Sequence, residues 1–296
     1  MQLAIRPLHL LLFLMTVTIW GFSFIVTKWG VQEMPPIFFV GLRFLLVALI
    51  LVPFVPRPHG HWKRIVQISV TLGLLHFSCM FVALVRTPAG TTALLAQLQV
   101  PFAALLAALF LGDRLGWRRA LGMALAFAGA GVVLGAPSFD SPWWSDLLAV
   151  LAGLFWAISA VQIKSMGSAV GAASINGWVA VCAVPQLFIA SLILEQGQWE
   201  AIQGMSWRLA FALFYNSVLI VVVGYGTWYR LLKIYDVNQA MPFMLLMPPI
   251  ALLSGSLLLG EPLTWSLIVG GLVTIAGVAI ILVRRPRLVE TGAGRV

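Results

Sequence analysis

The 296-residue chain is 61% hydrophobic and only 9% charged, with a mean hydropathy of +1.02, which leaves too little polar surface for a water-soluble domain. Its net charge is +9. The basic residues are scattered over short connections between apolar runs, with no continuous basic surface for a phosphate backbone to follow, so nucleic-acid binding is excluded. Cys79 and Cys182 both fall inside apolar runs and read as buried free thiols.

A bilayer core needs roughly 20 apolar residues per helical crossing, and runs of that length recur almost end to end. The predicted spans are 8–27, 35–54, 65–85, 91–111, 117–136, 147–164, 172–194, 209–232, 239–259 and 264–283. The first follows Arg6, is too long for a signal-peptide core and lacks a small-residue cleavage site, so it reads as a permanent helix. The connections are short and carry Pro, Gly, Asp or Trp; only 55–64 and 195–208 are longer. With the N-terminus in the cytoplasm, the inner segments collect Arg6, Arg57, Lys63, Arg64, Arg114, Arg118, Arg119, Lys164, Arg230, Lys233, Arg284, Arg285, Arg287 and Arg295. The outer segments hold only Lys28, Arg86 and Arg208, and Arg43 lies within the second span. That bias places both termini inside. Trp143-Trp144, in an outer connection, reads as an interfacial anchor.

The two halves resemble each other. Leu111-Gly112-Asp113-Arg114-Leu115-Gly116-Trp117 matches Leu259-Gly260-Glu261-Pro262-Leu263-Thr264-Trp265, and the same offset of 148 aligns Pro101 with Pro249, Gly122 with Gly270, and Ala128-Gly129 with Ala276-Gly277. Nearer the start, Trp20, Ser23 and Lys28 match Trp156, Ser159 and Lys164 at an offset of 136. Each repeat, residues 1–140 and 141–296, therefore holds five crossings. Five is odd, so the second copy sits upside down. The expected fold is an all-α integral membrane protein of ten transmembrane helices in two inverted five-helix repeats. Such repeats suit alternating access, because exchanging the conformations of the halves converts an inward-open state into an outward-open one.

The paired L-G-[DE]-x-L-x-W turns, each leading into a Gly-rich helix, together with Gly41-Leu42-Arg43-Phe44 and the five-plus-five plan, resemble the drug/metabolite transporter superfamily, EamA type. The resemblance covers essentially the whole chain. It implies an inner-membrane carrier and export of amino acids or related metabolites, as in the bacterial aromatic amino-acid exporters of that group. A multidrug exporter of the same fold and, less favoured, a channel are the competing readings.

All nine acidic residues lie in connections or at span ends, which argues against a buried carboxylate as a proton or sodium relay. His76, near the middle of the third span, either binds substrate, carries a proton, or bonds a neighbouring helix. Thr16, Trp20, Ser23 and Thr27 share one face of the first span, and Trp156 and Ser159 repeat part of that face in the sixth. Trp20 and Trp156 are candidate aromatic walls for a substrate side chain. Gln97 and Gln99 in the fourth span, Asn176 in the seventh and Asn216 in the eighth offer a neutral polar lining. Tyr225, Trp228 and Tyr229 share a face of the eighth span. Met244, between Met241 and Met247, offers soft surface before Pro248-Pro249, which should kink the ninth span. The substrate-binding set is therefore Trp20, Ser23, His76, Gln97, Gln99, Trp156, Asn216, Tyr225, Trp228 and Met244. Arg43 is read as structural, capping backbone carbonyls, although a substrate carboxylate is an alternative partner.

No Walker-type Lys motif, metal-ligand cluster or nucleophile–base pair is present, so neither catalysis, a cofactor nor a metal is expected. The partners are a small-molecule substrate and lipid, with the chain working as a monomer.

Overall fold

The computed structural model describes residues 5–112, 116–135, 141–167, 169–235 and 237–282. Several predicted features lie outside these residues: Asp113, Arg114 and Leu115 of the first L-G-D turn, and Arg284, Arg285, Arg287 and Arg295 of the basic tail.

Among the described residues ten helices are long and apolar enough to cross a bilayer. They are α1 (Pro7–Glu33), α2 (Pro36–Phe54), α3 (Trp62–Arg86), α4 (Ala89–Leu111), α5 (Trp117–Gly135), α6 (Trp143–Ser165), α7 (Ala172–Leu194), α8 (Trp207–Leu232), α9 (Gln239–Leu259) and α10 (Trp265–Leu282). Most boundaries fall within a few residues of the hydropathy prediction. The largest difference is at α1, which continues to Glu33, so Lys28 lies inside the helix rather than in an outer connection. A short helix, Gln198–Gln203, occupies the connection between α7 and α8 and accounts for part of the shift in repeat offset from 136 to 148.

The L-G-[DE] turns owe their glycine to backbone geometry. Gly112 and Gly260 end α4 and α9 in the left-handed region, with φ of 69° and 67°, where a Cβ is unfavourable. Large apolar side chains remain exposed along the outer faces of the helices, among them Leu109, Phe110, Leu192, Ile193, Leu257 and Leu272. In lipid that exposure costs nothing, because the surrounding chains are equally apolar. Trp117, Trp143, Trp199, Trp207 and Trp265 stand exposed at helix ends or in the connection beside them, as interfacial indoles do.

The repeat is visible in the packing. α2 lies along α7 and α5 along α10. At the α5–α10 crossing a Cβ on Gly122 would stand 2.7 Å from the Gly277 carbonyl oxygen, and one on Gly270 would stand 2.6 Å from the Gly129 carbonyl oxygen. Gly122 corresponds to Gly270 and Gly129 to Gly277, so the contact is self-complementary about a pseudo-two-fold axis. It also runs early-to-late and late-to-early, which only antiparallel helices can do. Counterpart helices thus cross in opposite directions.

The candidate translocation site

Two pairs of helices depart from regular α geometry, and they correspond between the repeats. In α4, Pro101 has no N–H to give the Gln97 carbonyl. The chain responds with tighter bonds: Gln97 N–H to Leu94 O and Leu98 N–H to Leu95 O, both 3.0 Å, and Val100 N–H to Gln97 O at 3.0 Å. The helix is thereby divided into Ala89–Ala96 and Gln99–Leu111. In α9, Pro248 and Pro249 act alike. Leu245 and Leu246 turn back to Pro242 O and Phe243 O at 3.2 and 3.0 Å, dividing Val237–Met244 from Met247–Leu259. The breaks at Gln97 and Leu245 are 148 residues apart. The second pair comprises α3 and α8, which widen into π-helical stretches over Ser69–His76 and Tyr215–Tyr225. The first stretch, displaced by 148, falls inside the second. Widened turns of this kind concentrate at functional positions, and interrupted helices at the membrane midplane are a hallmark of carrier sites.

These distorted pairs are spanned crosswise. α1 packs on α8 and α9, whereas α6 packs on α3 and α4. A Cβ on Gly21 would meet the Met247 carbonyl oxygen at 2.9 Å, and one on Gly153 would meet Gln99 N at 3.1 Å. Met247 and Gln99 are counterparts, each just past its helix break. The first helix of each half therefore lies across the interrupted helix of the other.

The predicted residues fall into two clusters. In the first, the buried Trp20 ring lies 5.2 Å from Tyr225 and 5.3 Å from Trp228, and Tyr225 stacks on Tyr229 at 6.0 Å. The indole N–H points at Gly224, where a Cβ would approach Nε1 to 2.5 Å. It is buried without an acceptor. Met241, Met244 and Met247 are half-buried in the main core, on the two segments of α9 that pack against α1. In the second cluster, His76 donates from Nδ1 to the Ala152 carbonyl at 2.8 Å and meets Phe77 edge-on. Trp156 is half-buried one turn along from Ala152. Gln97 is buried and Gln99 half-buried.

Some predicted side chains spend their polar atoms within the protein. Ser23 donates to Trp20 O at 2.6 Å and Ser159 to Trp156 O at 2.7 Å, a helix back-bond repeated at the offset of 136. The Asn216 amide donates to Ala212 O and accepts from Thr27 Oγ1 at 3.1 Å, joining α8 to α1.

Arg43 connects the clusters. Its Nε donates to the Asn216 carbonyl at 3.2 Å, and its guanidinium lies 4.1 Å above the Phe77 ring centroid. That much matches the carbonyl-capping role expected from sequence. Its Nη1, however, is buried without an acceptor.

At the end of the bundle where α2 and α4 begin, carboxylates tie the helices together in a way the sequence did not reveal. Lys28 pairs with Glu261 at 2.9 Å, both largely buried, and also donates to Thr87 O at 3.0 Å. Glu261 accepts from the N–H groups of Ala89 and Gly90, so it caps α4 from the α9–α10 turn. Thr87 in turn donates to Asp146 at 2.8 Å. Glu195 caps α2 through the N–H groups of Ile37 and Phe38, at 2.7 and 3.0 Å. Carboxylates here meet both the unpaired N–H groups and the positive end of the helix dipole. Two clefts, of about 490 and 410 Å3, open at this end of the bundle, and neither includes any predicted substrate-binding residue. Among the described residues no three potential metal ligands converge.

The model of the EamA-like transporter family matches the chain twice, over residues 7–135 and 143–283. A probable amino-acid metabolite efflux pump of Escherichia coli is 32% identical over 276 residues, covering 90% of this chain and 92% of the relative. An uncharacterized transporter, YvbV, of Bacillus subtilis is 28% identical, covering 93% and 91%. A solved crystal structure at 18% identity superposes with a TM-score of 0.63 over 93% of this chain and 96% of its own, showing the same fold. The chain belongs to the EamA-like transporter family.

Proposed function

We propose that this protein is a secondary carrier of a bacterial inner membrane, with both termini cytoplasmic, that exports amino acids or related small metabolites by alternating access. The observation that carries the reading is the crosswise packing of α1 on α8 and α9 and of α6 on α3 and α4, because each half bears on the interrupted and widened helices of the other. The substrate class is taken from the similarity to efflux pumps named for amino-acid metabolites.

In this reading the halves, 1–140 and 141–296, rock about a passage between the clusters. Trp20, Tyr225, Trp228 and Met244 form one wall, and His76, Gln97, Gln99 and Trp156 the other. Asn216 ties α8 to α1 through Thr27, and the Ser23 hydroxyl is engaged within α1. The Lys28–Glu261 pair closes the outer end. By the repeat offsets its sequence counterparts are Lys164 and Asp113, the latter outside the described residues.

Counterflow in proteoliposomes tests this proposal. A preloaded amino acid should accelerate uptake of its labelled form with saturation, which a channel cannot produce. Trp20→Phe keeps the aromatic bulk but removes an unpartnered N–H, so the fold should be undisturbed. Counterflow should fall about tenfold if that donor meets substrate. Wild-type flux in this variant rules out the indole N–H as a substrate donor, and absence of saturable amino-acid counterflow in the wild type rejects the carrier assignment.

A further inference from the structure

Arg43 lies about two turns inside α2, 5% exposed. Guanidinium offers five N–H donors, yet among the described residues only Nε has a hydrogen bond, to Asn216 O. One face of the group is covered by Phe77, with Phe44 at 5.4 Å and Phe81 at 5.9 Å. These contacts fix the plane of the fork, and Nη1 is left buried and unbonded. The ion pair among the described residues, Lys28–Glu261, lies elsewhere, and no carboxylate of the described chain reaches Arg43. Burying a lone cation in lipid is strongly unfavourable. Asp113, Asp140, Asp236 and Glu290, which lie outside the described residues, fall by sequence in connections or the C-terminal tail rather than mid-span, which points to a counter-charge supplied by a ligand.

We propose that Arg43 is the specificity-determining residue for a substrate carboxylate, which docks on its unspent edge between α2, α3 and α8. This inference rests on the carrier reading above and narrows its substrate to small carboxylates, zwitterionic amino acids included. One guanidinium balances one carboxylate, whereas a phosphate dianion would leave charge uncompensated. Phe77, under the guanidinium, meets the His76 ring at 4.6 Å, and Asn216, which accepts from Nε, lies in the same π-helical stretch as Tyr225. A carboxylate held there therefore presents the rest of its molecule to both walls. The planar fork also fits a carboxylate better than a spherical halide.

The test uses the full chain in lipid nanodiscs, read by melting temperature and Trp fluorescence. The wild type, Arg43→Gln and Arg43→Lys are titrated with the twenty amino acids, phenylacetate, the carboxamide of every ligand that binds, and chloride. Carboxylates should bind the wild type about 10- to 100-fold more tightly than their amides. In Arg43→Gln that ratio should collapse towards one while affinity for the amide holds, and Arg43→Lys should restore part of it. Should Arg43→Gln not fold, the ratios in the wild type and Arg43→Lys decide, and a wild-type ratio near one overturns the assignment. An unchanged ratio in Arg43→Gln, equal losses for acid and amide, displacement by equimolar chloride, or no carboxylate binding at all would overturn it too. Carboxylate-selective binding without amino-acid counterflow would uphold Arg43 and reject the export reading. Counterflow without carboxylate selectivity would do the reverse.

Discussion

Glu261→Ala should be among the most damaging single substitutions outside the central clusters. It removes at once the partner of Lys28 and the acceptor for the N–H groups of Ala89 and Gly90. Removing one member of a buried pair leaves the other charge uncompensated, typically at a cost of about 3–5 kcal/mol. A loss of about 3 kcal/mol, borne by the arrangement that holds this pair, shifts a two-state equilibrium roughly 100-fold. Both the melting temperature of the purified protein and its counterflow rate should therefore fall. The double variant Lys28→Met, Glu261→Gln should melt above Glu261→Ala, because no unpaired charge remains. A Glu261→Ala protein as stable and active as wild type would show that the Lys28–Glu261 pair contributes nothing.

The second large effect is expected at the α5–α10 crossing. A Cβ on Gly129 would stand 2.5 Å from both the Thr274 nitrogen and its Oγ1, and 2.6 Å from the Gly270 carbonyl oxygen. Two of those three atoms are backbone and cannot turn aside as a side-chain end would. Gly129→Val should cost about 3 kcal/mol or more, and Gly277→Val, its counterpart, should cost about as much. Gly131, two residues along α5, has nothing within 4 Å of its Cβ position. Gly131→Ala should be neutral or stabilise by up to about 1 kcal/mol through helix propensity. Thermal unfolding of the three variants separates these outcomes, and equal behaviour at positions 129 and 131 would contradict the close approach.

Features carried by composition along one helix are legible in the sequence. Hydropathy locates all ten helices, because each must satisfy its backbone within itself and cover its flanks with apolar side chains. The offsets of 136 and 148 imply the inversion, and the Gly122–Gly277 and Gly129–Gly270 contacts express it in space. The kink in α9 is legible from its adjacent prolines. The matching break at Gln97 is not part of that expectation, although Pro101 aligns with Pro249 and carries the same missing donor.

What depends on pairing across distant segments is not legible. Lys28 and Glu261 are 233 residues apart, and each reads in the sequence only as a surface charge. The π-helical stretches over Ser69–His76 and Tyr215–Tyr225 have no composition of their own that marks them in the sequence. His76 is open to several roles, and its bond to Ala152 depends on α6 passing at that height. For Arg43 the sequence suggests a carbonyl cap, and Nε acts as one. Only the geometry around Nη1 exposes the donor left over.

Opposed orientation of the repeats underlies the crosswise site and the proposed exchange of states. The turns after α4 and α9 are counterparts, so single cysteines at Gly116 and Thr264 in a Cys79→Ser, Cys182→Ser background test it directly. A membrane-impermeant maleimide applied to intact cells should label the cysteine at 264 and reach the one at 116 only after permeabilisation. Labelling of both from the same side would contradict the inversion.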